Sequence, residues 1–210
     1  MASASSSSSV RPAAGPSDAA LVVSARAGER WACEALLRRH AGMAYGLAYR
    51  LLARDQDAED VVQDAYVTVL SRLDQLREPQ AFASFLAAVV VRRVQHVVRR
   101  RRLARRLGLL PPAEPVDIGA LVGHDAPPDA AAELRSIYRV LDALPADERV
   151  ALVLRRVEGM PLEEVARMLG CSTATAKRRI AAAEAALRRD QPAGTVDPGS
   201  ARSRDRGVGG

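Results

Sequence analysis

The sequence predicts an all-α protein of two small helical domains joined by a flexible linker, the second a four-helix domain with a helix-turn-helix. Three observations carry this. Apolar residues recur at i, i+3, i+4 spacing in both halves of the chain. Aromatics make up 3% of the 210 residues while hydrophobic residues reach 48%, which suits small helical domains built from Leu, Val and Ala. Between the halves, residues 107–129 hold Pro111, Pro112, Pro115, Pro127 and Pro128 with no Lys or Arg, a composition that breaks helices and reads as a linker.

Taken in order, residues 1–17 are rich in Ser, Ala and Pro and are expected to be disordered. The first domain is expected over 18–106. Asp18 is expected to cap a short helix that stops at Gly28, and Glu29–His40 and Ala41–Ala53 form amphipathic helical stretches. Asp55 or Asp57 is expected to cap the next helix, DAEDVVQDAYVTVLSRL. Its Ala58, Val61, Val62, Ala65 and Val69 make one apolar stripe, and Asp57, Asp60, Gln63 and Asp64 fall on another face. Acidic residues in a first turn favour the helix dipole, which accounts for Asp57 and Glu59 but not for Asp60 and Asp64 further in. An acidic face on a basic chain suits a basic protein surface better than DNA.

The longest helix is expected near Gln80–Arg106, with Phe82, Leu86, Val90, Val94 and Val97 buried and Phe85, Val89, Arg92, His96 and Arg99 turned away. Eight arginines fall between Arg92 and Arg106. Like charges at i, i+4 destabilise a helix unless a polyanion offsets them, so Arg99-Arg100-Arg101-Arg102 points to nucleic acid. The charge of the whole chain, +6, is modest, and it is the clustering that carries weight. The second domain is expected over 130–189, with helices near 131–143, 147–157, 161–169 and 172–189, and residues 190–210 as a disordered tail. Pro161 suits a first helical turn, Gly170 a left-handed helix end, and Ser172 a cap. The helix after Ser172 carries Lys177, Arg178 and Arg179. Two helices joined by a short turn with Gly, the second basic, is the helix-turn-helix pattern.

DAEDVVQDAYVTV resembles the core-polymerase-binding helix of bacterial sigma-70 factors, and LPADERVALVLRRVEGMPLEEVARMLGCSTATAKRRIAAAEAAL resembles their region 4. With regions 2 and 4 only, the chain looks like the extracytoplasmic-function (ECF) group. The resemblance implies a sigma factor that binds core RNA polymerase, recognises −10 and −35 promoter elements and directs transcription initiation. It implies that Asp60, Gln63 and Asp64 meet the β′ clamp helices. It implies that Arg77, Phe85, Arg92, His96, Arg99 and Arg100 read or open the −10 element. It places Thr175, Lys177, Arg178, Arg179 and Ala181 at the −35 element, with region 4 also packing on the β flap. The linker, with Glu114, Asp117, Asp125 and Asp129, would run toward the RNA exit channel. An anti-sigma factor is a candidate further partner. The family's usual F-x-x-W-L is Phe82-Ala83-Ser84-Phe85-Leu86 here, its Asn and Asp are Arg92 and His96, and Ala181 and Ala182 stand where an aromatic or His and an Arg are common. Phe85 is either a wedge for strand opening or a core residue.

The alternative is a sigma-like helix-turn-helix regulator that binds DNA without core polymerase, a reading in which the acidic face at Asp60–Asp64 has no role. An enzyme has little support, since His40, His96 and His124 are scattered and no Ser/His/Asp or Cys/His set or phosphate loop is apparent. Cys33 and Cys171 are expected to be buried free thiols, with no zinc ligand spacing and no cofactor. The N-terminus lacks the apolar stretch of a secretory signal, and no run of about 18 apolar residues occurs, so a soluble cytoplasmic protein with no membrane contact is expected.

Overall fold

A computed structural model describes residues 15–110 and 127–190. Helix α1 spans Asp18–Arg26 and is capped one residue earlier than expected. The Ser17 hydroxyl accepts from the Ala20 amide at 3.2 Å. Asp18 instead reaches α2, Arg30–Leu52, where it accepts from Arg39 at 2.7 Å and meets His40 Nε2 at 2.8 Å. The stretches Glu29–His40 and Ala41–Ala53 form one continuous helix. Gly42 and Gly46 each cost a helix interior about 1 kcal/mol, but burial of Leu36, Ala44, Leu47, Ala48 and Leu51 runs straight through them and outweighs that cost. The helix stops at Ala53, which is fully buried with φ +53. That left-handed conformation costs a non-glycine residue roughly 1–2 kcal/mol, and the tight turn into α3, Asp55–Ser71, holds it there.

Neither Asp55 nor Asp57 caps α3. Arg54 occupies the cap position but its side chain does not cap the helix, and Asp57 pairs with Arg101. Ala58, Val61, Val62, Ala65 and Val69 are all buried as their spacing requires. Two short 3-10 turns, Leu73–Gln75 and Pro79–Ala81, lead into α4, Phe82–Arg106. The Arg26 guanidinium pins the first turn by donating to the carbonyls of Leu73 and Leu76. Along α4, Phe82, Leu86, Val90 and Val94 are fully buried. Val97 is only half-buried, while Val89 and Val91 are buried as well, so the core stripe is wider and shifted relative to the expected one. Residues Pro79–Arg106 are long and apolar enough to cross a membrane on mean hydropathy, 1.4 over the best 18-residue stretch. Half of that stretch is buried inside the protein, as in the core helix of a globular domain.

The second domain holds α5 Pro128–Ala143, α6 Ala146–Arg156, α7 Leu162–Leu169 and α8 Thr173–Asp190. Tyr138, Leu141, Val150, Leu154, Val165, Met168, Ala176 and Ile180 supply its core. Gly170 takes φ +62 at the end of α7, and the Cys171 amide closes the turn on the Ala166 carbonyl at 3.0 Å. Ser172 Oγ accepts from the Thr175 amide at 3.2 Å, so the cap read for α8 is present. Cys33 and Cys171 are half-buried rather than buried. Glu114, Asp117 and Asp125 of the linker lie outside the described residues.

The two domains touch. Helix α6 lies against α2 and α4. Arg149, with a side chain 3% exposed, donates to the Leu51 carbonyl at 2.7 Å and pairs with Asp142. Tyr138 donates to the Arg50 carbonyl at 3.0 Å, and Arg50 forks onto both oxygens of Glu158.

Candidate functional site

Three exposed surfaces gather the residues singled out above. On α3, one helical face is closed into the core, so the opposite face must point outward. Asp60, Gln63 and Asp64 are all exposed there. Two features escaped the sequence reading. Val67, 70% exposed, continues the face at i+7 from Asp60 and gives it an apolar end. Arg93 of α4 borders it, bonding Thr68 Oγ1 at 2.6 Å and approaching Asp64 at 3.6 Å. Extending the i, i+3, i+4 pattern one turn would have found Val67, whereas nothing local announces Arg93. At 69% and 41% exposure the Asp64–Arg93 pair contributes no more than about 1 kcal/mol, which leaves Asp64 free to exchange that arginine for a stronger partner.

The second surface is the solvent side of α4. Arg92, His96, Arg99 and Arg100 are exposed, with Arg92, His96 and Arg99 at i, i+4 and i+7 on one face. Arg77 stands exposed in the connector between the 3-10 turns. Phe85 does not stand clear of the core. It is half-buried against it, and Val89, one turn on, is 5% exposed. The apolar start of the expected outer stripe therefore lies at the core boundary, and only its basic end is fully outside. Phe82 is buried, its ring centroid 5.3 Å from that of His40.

On α8, burial of Ala176, Ile180 and Ala183 decides which side chains face out. Lys177, Arg178 and Ala181 are exposed. Thr175 is half-buried and accepts from Arg178 Nη2 at 3.2 Å, which steadies that guanidinium on the outer face. Arg179 turns away from this group. Its side chain is 26% exposed and it pairs with Asp147 at the start of α6 at 2.7 Å. Of the three consecutive basic residues, two are presented to a ligand and the third ties α8 to α6.

Such surfaces are suited to binding. Among the described residues no His, Cys, Asp or Glu group is arranged to hold a metal. A row of exposed guanidinium groups neutralises phosphates, an exposed Arg on a helix in a groove reads guanine edges, and a carboxylate-lined face suits a basic protein surface.

Two family patterns match the chain. The family pattern described as sigma-70 region 2 matches residues 36–104, and that described as sigma-70, region 4 matches residues 134–187. The chain is 33% identical over 152 residues to an ECF RNA polymerase sigma factor SigE of Mycolicibacterium smegmatis, covering 69% of this chain and 56% of the relative. It is 31% identical over 173 residues to the ECF RNA polymerase sigma factor SigM of Mycobacterium tuberculosis, covering 82% of this chain and 84% of the relative. Among solved structures, CnrH in complex with the cytosolic domain of CnrY superposes with a TM-score of 0.55 at 26% identity, over 82% of this chain and 95% of that one.

Proposed function

The chain belongs to the ECF sigma factors of the sigma-70 family, and from that premise we propose how its surfaces divide the work of initiation. It acts by binding, as a sigma factor that joins core RNA polymerase and carries it to promoter DNA, with no chemical step of its own, in the cytoplasm where transcription takes place. Asp60, Gln63 and Asp64 on α3 take the β′ clamp helices, and Val67 extends that contact with an apolar end. Arg92, His96, Arg99 and Arg100 on α4, with Arg77 in the connector before it, track the −10 strands, and Phe85 at the head of the track supports a displaced base. Lys177, Arg178 and Ala181 on α8 enter the −35 major groove. Thr175 and Arg179 act behind them, Thr175 by orienting Arg178 and Arg179 by holding α8 on α6. The β flap receives the second domain, and an anti-sigma factor is a further partner that fits the family.

One observation carries this reading furthest: the acidic face of α3 is exposed on a chain of net charge +6. A stand-alone DNA-binding regulator would have no use for it, because carboxylates facing a phosphate backbone oppose binding. The test is gel filtration with purified core polymerase. Wild type is expected to co-elute, and a variant with Asp60, Gln63 and Asp64 all changed to Ala is expected to elute alone while keeping its helical circular dichroism. Co-elution of the triple variant at wild-type level would refute the assignment.

A further inference from the structure

We infer that Arg26 of α1 is a positioning residue for promoter reading, holding the connector between α3 and α4 in the shape that aims Arg77 at the −10 element. The inference rests on reading Arg77 and α4 as the −10 surface. The Arg26 guanidinium reaches across 47 and 50 residues of sequence to two backbone carbonyls. Its Nε and Nη2 donate to the Leu73 carbonyl at 3.2 and 2.9 Å, and Nη2 also donates to the Leu76 carbonyl. The Leu76 amide closes the first 3-10 turn on the same Leu73 oxygen at 3.2 Å. The Leu76 carbonyl shares one rigid peptide plane with the Arg77 amide, so the guanidinium fixes the plane from which Arg77 departs. The other end of the connector is held from α1 as well. Asp18 accepts from Arg39 and meets His40, and the His40 ring lies 5.3 Å from Phe82, the first residue of α4. Helix α1 also lies against the second 3-10 turn, Pro79–Ala81.

Between these two anchors, Leu73 and Leu76 are buried and Asp74, Gln75, Arg77 and Glu78 are exposed. The connector is thus a short polar loop presented outward on two apolar feet. Carbonyls just past a helix end have no intrahelical partner, and at a surface water satisfies them. Arg26 is itself exposed, so water can reach these carbonyls too. What the planar guanidinium fork adds over water is direction, and bonds from a charged donor are roughly twice as strong as neutral ones. Connecting segments are the more mobile parts of a domain, and a binding side chain left loose by about 1 Å loses much of its contact. Helix α1 lies ahead of residue 36, where the region 2 pattern begins. The grip on the connector therefore comes from outside the segment which that pattern describes.

The test uses the full chain with purified core polymerase. One promoter found by mapping RNA 5′ ends is transcribed as a pool of barcoded templates, its −10 region randomised and its −35 region fixed. Counting barcodes in the RNA gives the base preference at each −10 position. Arg77→Ala is expected to lower the preference at one or two positions, where a good base contact carries roughly 5- to 150-fold discrimination. Arg26→Gln is expected to lower it at the same positions by about threefold or more, with core co-elution and −35 preference unchanged. Arg26→Lys keeps the charge without the fork and is expected to fall between wild type and Arg26→Gln. Because Arg26 acts through Arg77, the double variant is expected to lose no more than Arg77→Ala alone. Arg30→Gln removes an exposed charge that pairs with Glu34, and is expected to leave every preference within about twofold of wild type. Hydrogen exchange supplies a second readout. Amides of residues 74–78 should exchange about fivefold faster or more in Arg26→Gln, with the interior of α3 unchanged. Unchanged −10 preference in Arg26→Gln, additive losses in the double variant, or an equal loss with Arg30→Gln overturns the inference. So does a parallel loss of core co-elution or helical circular dichroism, which would make Arg26 a structural residue only. If Arg77→Ala leaves every −10 preference unchanged, the connector is not a reader and the inference falls with that reading. If Arg77→Ala lowers a preference and Arg26→Gln does not, the positioning role alone is wrong.

Discussion

Arg149 is the residue on which the domain contact and the second domain's own stability meet, and replacing it with Met tests both. The side chain is 3% exposed, donates to the Leu51 carbonyl at 2.7 Å and pairs with Asp142, itself 10% exposed. Burial pushes the guanidinium pKa down, and Asp142 opposes that by favouring the charge. One nitrogen, Nη2, is buried with no partner, so the arrangement already carries an unmet donor. Removing one partner of a buried pair costs about 3–5 kcal/mol when the other charge is left alone. Asp142 is not left alone, because Arg54 and Arg105 stay within 4 Å, and Met refills most of the volume. What remains is one orphaned carbonyl, worth about 1–3 kcal/mol, and a weakened carboxylate. We expect Arg149→Met to destabilise by about 2–3 kcal/mol. At about 2–4 °C per kcal/mol for a chain of this size, calorimetry should show Tm lower by about 4–12 °C. Adding Asp142→Leu should restore part of the loss, since an apolar pair often replaces a buried ion pair at little cost. A Tm within 1 °C of wild type for the single variant, or a double variant worse than the sum of the two single variants, would refute the reasoning.

Phe85→Leu is expected to cost no more than about 1 kcal/mol, since Phe85 is half-buried and Leu refills most of the space. It should keep core binding but lose permanganate reactivity of −10 thymines, with recovery on a pre-melted template, and normal opening on closed promoters would leave melting to the arginines. Arg178→Ala is expected to cost roughly 1–3 kcal/mol at one −35 base pair, whereas Lys177→Ala should weaken all sequences alike and lower the salt slope by about one unit. A randomised −35 library transcribed identically by both variants and wild type would contradict this. Acid should loosen the contact between α1 and α2. Burial alone would raise the Asp18 carboxyl, but the hydrogen bonds from Arg39 and His40 outweigh it and hold its pKa below the usual value near 3.9. The stability it contributes is therefore complete above pH 4 and is lost as pH falls through the lower folded value. Asp18→Asn should lower Tm at pH 7 and flatten the decline below pH 4, and parallel melting curves across that range would argue against the contact.

The helix-turn-helix and the outer face of α3 were legible because both rest on local rules: a 3.6-residue period, a left-handed glycine, a hydroxyl cap. The exposed character of Asp60, Gln63 and Asp64 followed directly from the burial of Ala58, Val61, Val62 and Ala65 on the same helix. What sequence could not separate was one arginine from another. Arg149, Arg178 and Arg179 read alike on paper, yet one is buried between domains, one faces outward and one ties α8 to α6, and that sorting is set by tertiary neighbours. The same holds for Phe85, whose periodicity fits both a stripe turned outward and the core boundary where it sits. Asp18 was misread for a simpler reason: Ser17 is an equally good cap one residue earlier, and two basic residues on α2 draw the carboxylate away.

The central claim, that this chain converts core polymerase into a promoter-selective enzyme through two separate DNA-reading helices, is tested most directly by mapping RNA 5′ ends. Genomic DNA fragments from the source organism are transcribed by purified core polymerase with and without the chain. The account predicts discrete start sites that appear only when the chain is added and that share two sequence elements, one near −10 and one near −35. The −35 element should degenerate when Arg178 is changed to Ala. Identical 5′ ends with and without the chain would contradict the account, as would tight binding of the same fragments by the chain alone.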